Sequence, residues 1–253
     1  MPSNGIIHSS FRDPSGFIFK REGVIYRQVN LAYKENYDLL MNSGLYDELV
    51  KSGLLIGHAE VPIEPELPVS AYKIIKPNPI GFISYPYEWC FSQLKDAALT
   101  TLTIHKKSLE LGLSLKDCSA YNIQFVEGKP VFIDTLSFEK YKEGEPWVAY
   151  QQFCKHFLCP LALMSYTDVR LNQLFRIFID GVPLDLGARL LPSSTKFKFS
   201  LFTHIHMLAK AQQKYSDAAS KAKGRKISRQ AFLGLIDSLE TSIRKLTWNP
   251  GGT

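Results

Sequence analysis

Three polar residues near the middle of the sequence have the types and the spacing of a phosphoryl-transfer site. They are Asp117, Asn122 and Asp134. Carboxylate and carboxamide oxygens are hard ligands that hold magnesium, and the bound magnesium bridges the phosphates of a nucleotide. A separate carboxylate nearby can accept the proton of an attacking hydroxyl group. We therefore predict that Asn122 and Asp134 bind a metal ion and that Asp117 is the base.

A predicted β-hairpin brings two of these residues together. Asn122 precedes the apolar strand 123–126, a turn follows at residues 127–129, and the returning strand 130–133 ends just before Asp134. Because a hairpin folds back on itself, its first and last residues must lie close together. The alternative interpretation is purely structural, since Asp and Asn side chains also cap turns and the ends of strands.

The rest of the chain predicts an α+β fold. β-branched and aromatic runs between turn residues indicate strands, whereas apolar residues at helical spacing indicate helices. The longest predicted helix ends at Gly112, shortly before Asp117. Strands are predicted at residues 5–11, 17–19, 24–29, 71–75 and 80–84, and helices at 31–53, 91–112, within 147–191, and at 200–215 and 227–246.

The order of these elements divides the chain into two lobes. A small, mainly-β N-lobe is predicted for residues 1–84, and a larger, mainly helical C-lobe for residues 91–246. A stiff aromatic connection at 85–90 joins them, and residues 247–253 form a tail. The hairpin region 115–138 belongs to the C-lobe. Strands and helices that are segregated along the chain in this way are typical of α+β folds.

The hairpin and the loop before it resemble the catalytic loop and metal-binding hairpin of protein kinases and, more closely, of aminoglycoside-phosphotransferase-like kinases. In those families a similar Asp-x-x-x-x-Asn is followed by a short hairpin and an Ile-Asp pair, the pattern of Asp117, Asn122 and Asp134. The resemblance implies a bilobal protein-kinase-like fold that binds ATP and Mg²⁺. It further implies phosphate transfer to a hydroxyl group, which we expect to belong to a small molecule or sugar.

The resemblance extends upstream of the hairpin. Residues 24–27 are similar to the third-strand Val-Ala-x-Lys motif of kinases, with Arg27 in place of the lysine that pairs with phosphates. The resemblance implies that Glu48, on the following helix, is the acidic partner of Arg27. The loop 12–16, which contains Gly16, takes the position of the loop that covers the nucleotide.

The aromatic connection between the predicted lobes takes the position of the hinge that holds adenine in kinases. The resemblance implies that Ser84, Tyr85 and Tyr87 contact the nucleotide there. Together with residues 12–30 on the opposite side, this segment would enclose the nucleotide in a cleft between the lobes.

Departures from the kinase pattern favour an alternative, a pseudokinase that keeps the fold as a regulatory or scaffolding module. Leu115 stands where the catalytic loop of kinases has a histidine, and Thr135 and Leu136 follow Asp134 where kinases have Phe-Gly. The covering loop has one glycine rather than three. Arg27 is a wider, planar cation, and arginine does not simply replace lysine at a phosphate site.

A second, looser resemblance concerns what surrounds the domain. Residues 84–89, the segment around Asp117 and residues 147–161 look like the front half of bacterial proteins that continue into an S-adenosylmethionine-dependent methyltransferase. Some of those proteins are labelled nodulation or surface-polysaccharide proteins. The chain has no Gly-rich strand-to-helix turn followed by an acidic strand end, so we expect no methyltransferase site within it. The resemblance implies a methyltransferase domain or partner, which would begin at the tail 248–253.

The formal net charge is +6, and part of it is concentrated between Lys221 and Arg229. We interpret this basic stretch as a solvated linker, and a nucleic-acid-binding module is the weaker alternative. The sequence has no secretory signal and no apolar run long enough to cross a membrane, and its four cysteines lack the spacing of a metal site. We therefore predict a cytoplasmic protein with reduced thiols and no membrane partner.

Overall fold

A computed structural model of the chain describes residues 5–7, 13–216 and 227–248. The five strands of the largest sheet precede most of the helices, which is the predicted α+β order. The strands are β1 Gly5–Ile6, β2 Gly16–Arg21, β3 Val24–Asn30, β4 His58–Glu60, β5 Ala71–Pro77, β6 Leu113–Leu115, β7 Ile123–Val126, β8 Lys129–Phe132 and β9 Phe138–Lys140. The α-helices are α1 Lys34–Asn42, α2 Leu45–Lys51, α3 Phe91–Glu110, α4 Tyr150–Phe153, α5 Cys159–Tyr166, α6 Leu184–Leu190, α7 Phe199–Leu201, α8 Leu208–Ser216 and α9 Arg229–Lys245.

The N-terminal sheet is antiparallel and has the strand order β1-β2-β3-β5-β4. β2 and β3 are joined by a two-residue turn at Glu22 and Gly23, whose φ angles of 51° and 82° suit a type I′ hairpin. β3 is the middle strand, and its Arg27 is paired with Ile18 on β2 and with Ile75 on β5. Arg27 is therefore held on both sides by the sheet.

One face of this sheet packs against the first helix. Tyr33, just before α1, and Tyr37, within it, form a buried cluster with Val29 of β3 and Ile75 of β5. Leu136, which follows the hairpin in sequence, completes the cluster. The apolar contacts of the sheet thus extend directly to the segment that carries the predicted site.

The long helix α3 agrees with the prediction for residues 91–112. Its apolar stripe, which includes Phe91, Leu94, Leu102 and His105, is buried in the main core. Gly112, just beyond the helix, has a φ of 78°, the left-handed conformation that ends many helices. α3 therefore delivers the chain into β6 and the loop that contains the predicted base.

Two short ladders frame that loop. β7 and β8 form the predicted hairpin around a turn at Glu127 and Gly128, whose φ angles are 50° and 77°. β6 and β9 pair with one another outside the hairpin. Residues 116–122 and residues 133–137 both connect the outer ladder to the inner one, so the two segments lie side by side.

Backbone hydrogen bonds join the sheet region to the hairpin. The amide of Ile56 donates to the carbonyl oxygen of Phe132 at 2.8 Å, and the amide of Phe132 donates to that of Leu54 at 2.8 Å. These bonds fix the segment before β4 against β8. The division of the chain into two lobes at residues 85–90 stays a prediction.

Two predictions of secondary structure were wrong, and one strand was missed. Residues 80–84 form an irregular segment rather than a strand, and side-chain partners satisfy the backbone of Ser84. The helical stretch 31–53 is interrupted before α2 by Gly44, whose φ is 83°. The short edge strand β4 was not predicted, because three residues give too little periodicity to recognise.

Several predictions fall on residues outside the described part of the chain. They are the strand residues 8–11, Arg12 of the predicted covering loop, the basic residues 221–226 and the tail residues 249–253. Within the described ranges, no helix combines the length and the apolar character that are needed to span a bilayer.

Candidate functional site

Two backbone hydrogen bonds bring the loop before the hairpin next to the segment after it. The amide of Ile133 donates to the carbonyl oxygen of Asn122 at 2.8 Å, and the amide of Lys116 donates to that of Ser137 at 2.8 Å. The first bond extends the pairing of β7 with β8 by one step, and the second extends the pairing of β6 with β9. Side chains from residues 116–122 and 133–137 are thereby gathered in one small region.

Asn122 and Asp134 share one hydroxyl group. The side-chain amide of Asn122 donates to Ser137 Oγ at 3.4 Å, and Ser137 Oγ donates to Asp134 Oδ2 at 2.6 Å. The hairpin therefore places the two predicted metal ligands on either side of Ser137. Ser137 itself was not predicted, although its position three residues after Asp134 is the spacing at which a hydroxyl can reach back to a carboxylate.

The Asp134 carboxylate is largely buried, and both of its oxygens accept hydrogen bonds. Oδ1 accepts hydrogen bonds from the Arg27 guanidinium and from the amide of Leu136, at 3.0 Å in the latter case, and Oδ2 accepts from Ser137. Burial alone would raise the pKa of Asp134, but the Arg27 charge and these donors outweigh burial and lower its pKa below the ordinary value. Asp134 is therefore held as a carboxylate.

The Asp117 carboxylate is held in place by a residue that sequence reasoning missed. Gln152 of α4 donates to Asp117 Oδ1 at 2.8 Å and accepts from the amide of Cys118 at 2.7 Å. The amide of Ser119 also donates to Asp117 Oδ1, at 2.9 Å. One carboxylate oxygen thus accepts two neutral donors, and the glutamine side chain fixes both the carboxylate and the loop that carries it.

Side chains bind both backbone groups of Leu115, the last residue of the strand β6 that leads into this loop. The amide of Leu115 donates to His105 Nδ1 at 3.1 Å, and Trp147 Nε1 donates to the carbonyl oxygen of Leu115 at 2.8 Å. The His105 and Trp147 rings stack with their centroids 4.3 Å apart. Burial lowers the pKa of His105 to about 3, so this histidine is a neutral structural acceptor.

Asp117 and Asn122 open onto a common cleft with a volume of about 660 Å³. The cleft also presents two lysine side chains and a second carboxylate. Its lining does not include Asp134, which is connected to Asn122 through hydrogen bonds of Ser137. The lining residues are Lys116, Asp117, Ser119, Tyr121, Asn122, Val148, Ala149, Gln151, Gln152, Lys155, His156, Ile179 and Asp180.

Gly16 lies at the start of β2, where another residue would not fit. A Cβ atom at this position would lie 2.1 Å from the carbonyl oxygen of Gln28 and 2.8 Å from Leu136 Cδ1. The neighbouring Ser15 Oγ accepts a hydrogen bond from Lys116 Nζ at 2.7 Å. The described end of the predicted covering loop thus contacts the candidate site, and its role in covering a nucleotide stays a prediction.

The predicted pairing of Arg27 with Glu48 was wrong. Glu48 lies on α2, where it is nearly half exposed and accepts a hydrogen bond from Lys107 of α3. Arg27 pairs instead with Asp134. The reason is that α1, not α2, covers the sheet beside Arg27, and the residue that α1 buries there is Tyr37.

The predicted adenine-binding segment is hydrogen-bonded to residues elsewhere in the chain. Gln124 of β7 accepts from the amide of Ser84 at 2.9 Å and donates to its carbonyl oxygen at 3.0 Å. Tyr85 and Tyr87 stack with their ring centroids 5.4 Å apart, and the carbonyl oxygen of Tyr87 accepts from Gln173 at 2.7 Å. Nucleotide contacts by Ser84, Tyr85 and Tyr87 stay a prediction, and those from Ser84 would compete with Gln124.

The donor set suits magnesium better than a soft metal. Among the described residues, no cluster of three or more His, Cys, Asp or Glu side chains could hold a metal ion by itself. Asn122 and Asp134 offer only oxygen ligands, joined through Ser137, and Mg²⁺ commonly takes one or two carboxylate-type ligands with its remaining positions filled by water and phosphate. The chemistry of these two side chains is therefore compatible with Mg²⁺, whereas the binding of Mg²⁺ and ATP stays a prediction.

The chain was compared with known proteins, and no family model matches it. It is similar to Nodulation protein NoeA of Rhizobium meliloti (strain 1021), with 32% identity over 256 aligned positions that cover 99% of this chain and 53% of that protein. The chain thus spans about half the length of this relative. Among solved structures it is similar to vaccinia related kinase 3, with a TM-score of 0.45 and 11% identity over 99% of this chain and 94% of that one.

Proposed function

We propose that the domain is a kinase-like phosphotransferase that uses ATP and Mg²⁺ to phosphorylate a hydroxyl group of a small molecule or sugar. The observation that carries this proposal is the pair of adjoining sites around Asn122. On one side Asn122 lines an open cleft with Asp117, and on the other it is joined through Ser137 to the carboxylate of Asp134. An acceptor and a nucleotide could therefore meet at this residue.

Asp117 would act as the base that orients the acceptor hydroxyl and accepts its proton. Gln152 and the Ser119 amide fix one of its oxygens, and pre-orientation of this kind is what positioned acid-base groups require. Lys116 and Lys155 line the same cleft and would attract phosphate. Asp117 and the two lysines would thus act on the acceptor and on the nucleotide from the same wall of the cleft.

Asn122 and Asp134 would hold Mg²⁺, which when bound neutralises phosphate charge. Arg27 would bind the nucleotide phosphates, as the third-strand lysine does in kinases. In the described structure Arg27 pairs with Asp134, so nucleotide phosphates would draw Arg27 away from the carboxylate. Under this proposal the Arg27–Asp134 ion pair belongs to the nucleotide-free protein and separates when the nucleotide binds.

The test of catalysis is ATP turnover in the wild type and in Asp117→Asn. Removal of a general base costs about 10²- to 10⁴-fold in rate, while binding of Mg²⁺ and ATP should be unchanged. Asp180→Asn is the matched control, because Asp180 lines the same cleft without a hydrogen bond from Gln152. Equal turnover in the wild type and Asp117→Asn would refute the proposed base.

A pseudokinase is the second candidate, and two observations favour it. Asp134 accepts three hydrogen bonds from protein groups, and both backbone groups of Ser84 are paired with Gln124. Under this alternative the domain would regulate or support a methyltransferase domain or partner. The NoeA relative is about twice as long as the matched region, which leaves room for another domain in that protein. Nucleotide binding without any turnover would support the pseudokinase.

A further inference from the structure

A short segment away from the candidate site exposes two aromatic rings that alternate with lysines in the sequence. Its sequence is Lys196-Phe197-Lys198-Phe199. Phe197 is 91% exposed and Phe199 is 81% exposed, although phenylalanine normally contributes to a core. Large apolar side chains that stand clear of the surface together mark a contact with an apolar partner.

Hydrogen bonds hold the start of the segment to the rest of the chain. Thr195 Oγ1 is bonded to His206 Nε2 at 3.0 Å, and the amide of Lys198 donates to the carbonyl oxygen of Thr195 at 3.1 Å. Lys198 has an extended backbone, with φ −93° and ψ 101°. Lys198 thus separates the helical turn that ends at Phe197 from α7, which begins at Phe199, and both rings are exposed at this junction.

Cationic side chains line two cavities next to the segment. One, of about 230 Å³, is lined by Arg189, Lys196 and Lys210, and the other, of about 620 Å³, is lined by Lys198 and Lys245 together with Phe199. Each cavity also contains one carboxylate, but both carboxylates have cationic partners. Asp185 pairs with Arg189 at 3.2 Å, and Asp237 pairs with Lys106 at 2.6 Å. The surface around the rings therefore has an excess of positive charge.

We propose that this basic aromatic segment, residues 196–199 with their flanking cations, binds the surface of a bilayer that contains anionic lipids. The two rings would enter the interfacial layer, and the lysines would lie among the lipid phosphates. A nucleic acid fits less well, because bases stack on rings that lie along a groove, whereas these rings stand clear of the surface. The inference replaces the expectation, drawn from the sequence, that the protein has no membrane partner. It concerns attachment to a membrane surface and is independent of the phosphotransferase proposal.

The experiment is co-sedimentation of the full chain with vesicles of phosphatidylcholine alone and of phosphatidylcholine mixed with phosphatidylglycerol. We expect binding to the mixed vesicles that weakens with salt, and little binding to phosphatidylcholine alone. Each of Lys196→Gln and Lys210→Gln should weaken binding about fivefold, and Phe197→Ser with Phe199→Ser should abolish it. Val69→Ser is the control, because Val69 is 95% exposed and lies in the N-terminal part of the chain.

Melting temperatures of all variants are measured in parallel, since replacing exposed side chains should leave them unchanged. The proposal is overturned if the wild type does not bind the mixed vesicles, or if the double phenylalanine variant binds them as well as the wild type. It is equally overturned if the two phenylalanines prove to mediate only self-association or only oligonucleotide binding. Loss of vesicle binding in that variant, with Val69→Ser unaffected, supports it.

Discussion

The guanidinium group of Arg27 donates a hydrogen bond to the Asp134 carboxylate and so joins the middle strand of the N-terminal sheet to the end of the hairpin. Both side chains are largely buried, with exposed fractions of 12% and 16%. The same carboxylate is the proposed ligand of Mg²⁺. The pair therefore links the stability of the fold to the state of the proposed nucleotide site.

Replacing Arg27 by methionine should destabilise the protein. The substitution keeps most of the apolar stem but leaves the Asp134 carboxylate buried without its cation, which costs about 3 kcal/mol for a buried pair. The measurement is the free energy of unfolding in urea. Arg27→Lys keeps the charge and should recover part of the loss.

The double variant Arg27→Met with Asp134→Asn separates the ion pair from the effects of either residue alone. If the two side chains interact directly, the double variant should lose less stability than the sum of the single losses. Strictly additive losses would mean that the ion pair contributes little to the stability of the fold.

Gln152→Leu should uncouple turnover from nucleotide binding. The variant removes a donor to Asp117 and an acceptor for the Cys118 amide, so the loop loses both of its bonds to α4. We expect a loss of stability of about 1–3 kcal/mol and a fall in ATP turnover of at least tenfold, with unchanged affinity for Mg²⁺ and ATP. Kinetics and a binding isotherm on the same samples check this, and unchanged turnover would argue against a positioning role for Gln152.

Gly16→Ala should be strongly destabilising because its new Cβ atom would overlap the backbone oxygen of Gln28. Overpacking of this kind costs about 1–3 kcal/mol. Gly234→Ala is the matched control with the opposite expected sign. Gly234 lies within α9, nothing lies within 4 Å of an added Cβ, and alanine stabilises a helix interior by about 0.5–1 kcal/mol relative to glycine. Thermal unfolding of the two variants compares these effects.

Acid should destabilise the fold before the carboxylates titrate. Burial lowers the pKa of His105 to about 3, and burial together with the Lys155 charge lowers the pKa of His156 to about 4. In the unfolded chain both would titrate near the ordinary pKa of about 6.5. The unfolded state therefore binds more protons, and the stability that is present above pH 6.5 is lost as the pH falls towards 3–4.

The measurement is the free energy of unfolding between pH 7 and pH 4.5 for the wild type and His105→Gln. Each such histidine contributes a slope of up to about 1.4 kcal/mol per pH unit below pH 6.5. The variant should have a smaller slope, since glutamine can still accept the Leu115 amide but does not titrate. Identical slopes would contradict a neutral, buried His105.

The hairpin and the long helix could be predicted from the sequence because residues that are close together in the chain define them. The turn at Glu127 and Gly128 lies between apolar strands and defines the hairpin, and hence the approach of Asn122 to Asp134. The apolar spacing of the long helix likewise gave α3. Hydrogen-bonded turns and helical periodicity are encoded in neighbouring residues, so one sequence suffices to read them.

The partners of these residues could not be predicted, because they come from distant parts of the chain. Gln152 lies 35 positions after Asp117 and Arg27 lies 107 positions before Asp134, and no periodicity relates such positions. The resemblance to kinases alone predicted Glu48 as the partner of Arg27, and the prediction was wrong because α2 packs against α3. Gln124 carried a detectable signal, since a polar residue on the buried side of a strand requires hydrogen-bond partners.

The most direct test of the central claim is whether Mg²⁺ and ATP raise the melting temperature of the wild type and whether this increase depends on Asp134. A ligand at 100 times its Kd stabilises the native state by about 2.7 kcal/mol. The account predicts an increase that requires both Mg²⁺ and ATP and is absent in Asp134→Asn, each variant being compared with its own ligand-free melting temperature. No increase with any nucleotide, or an equal increase in Asp134→Asn, would contradict it.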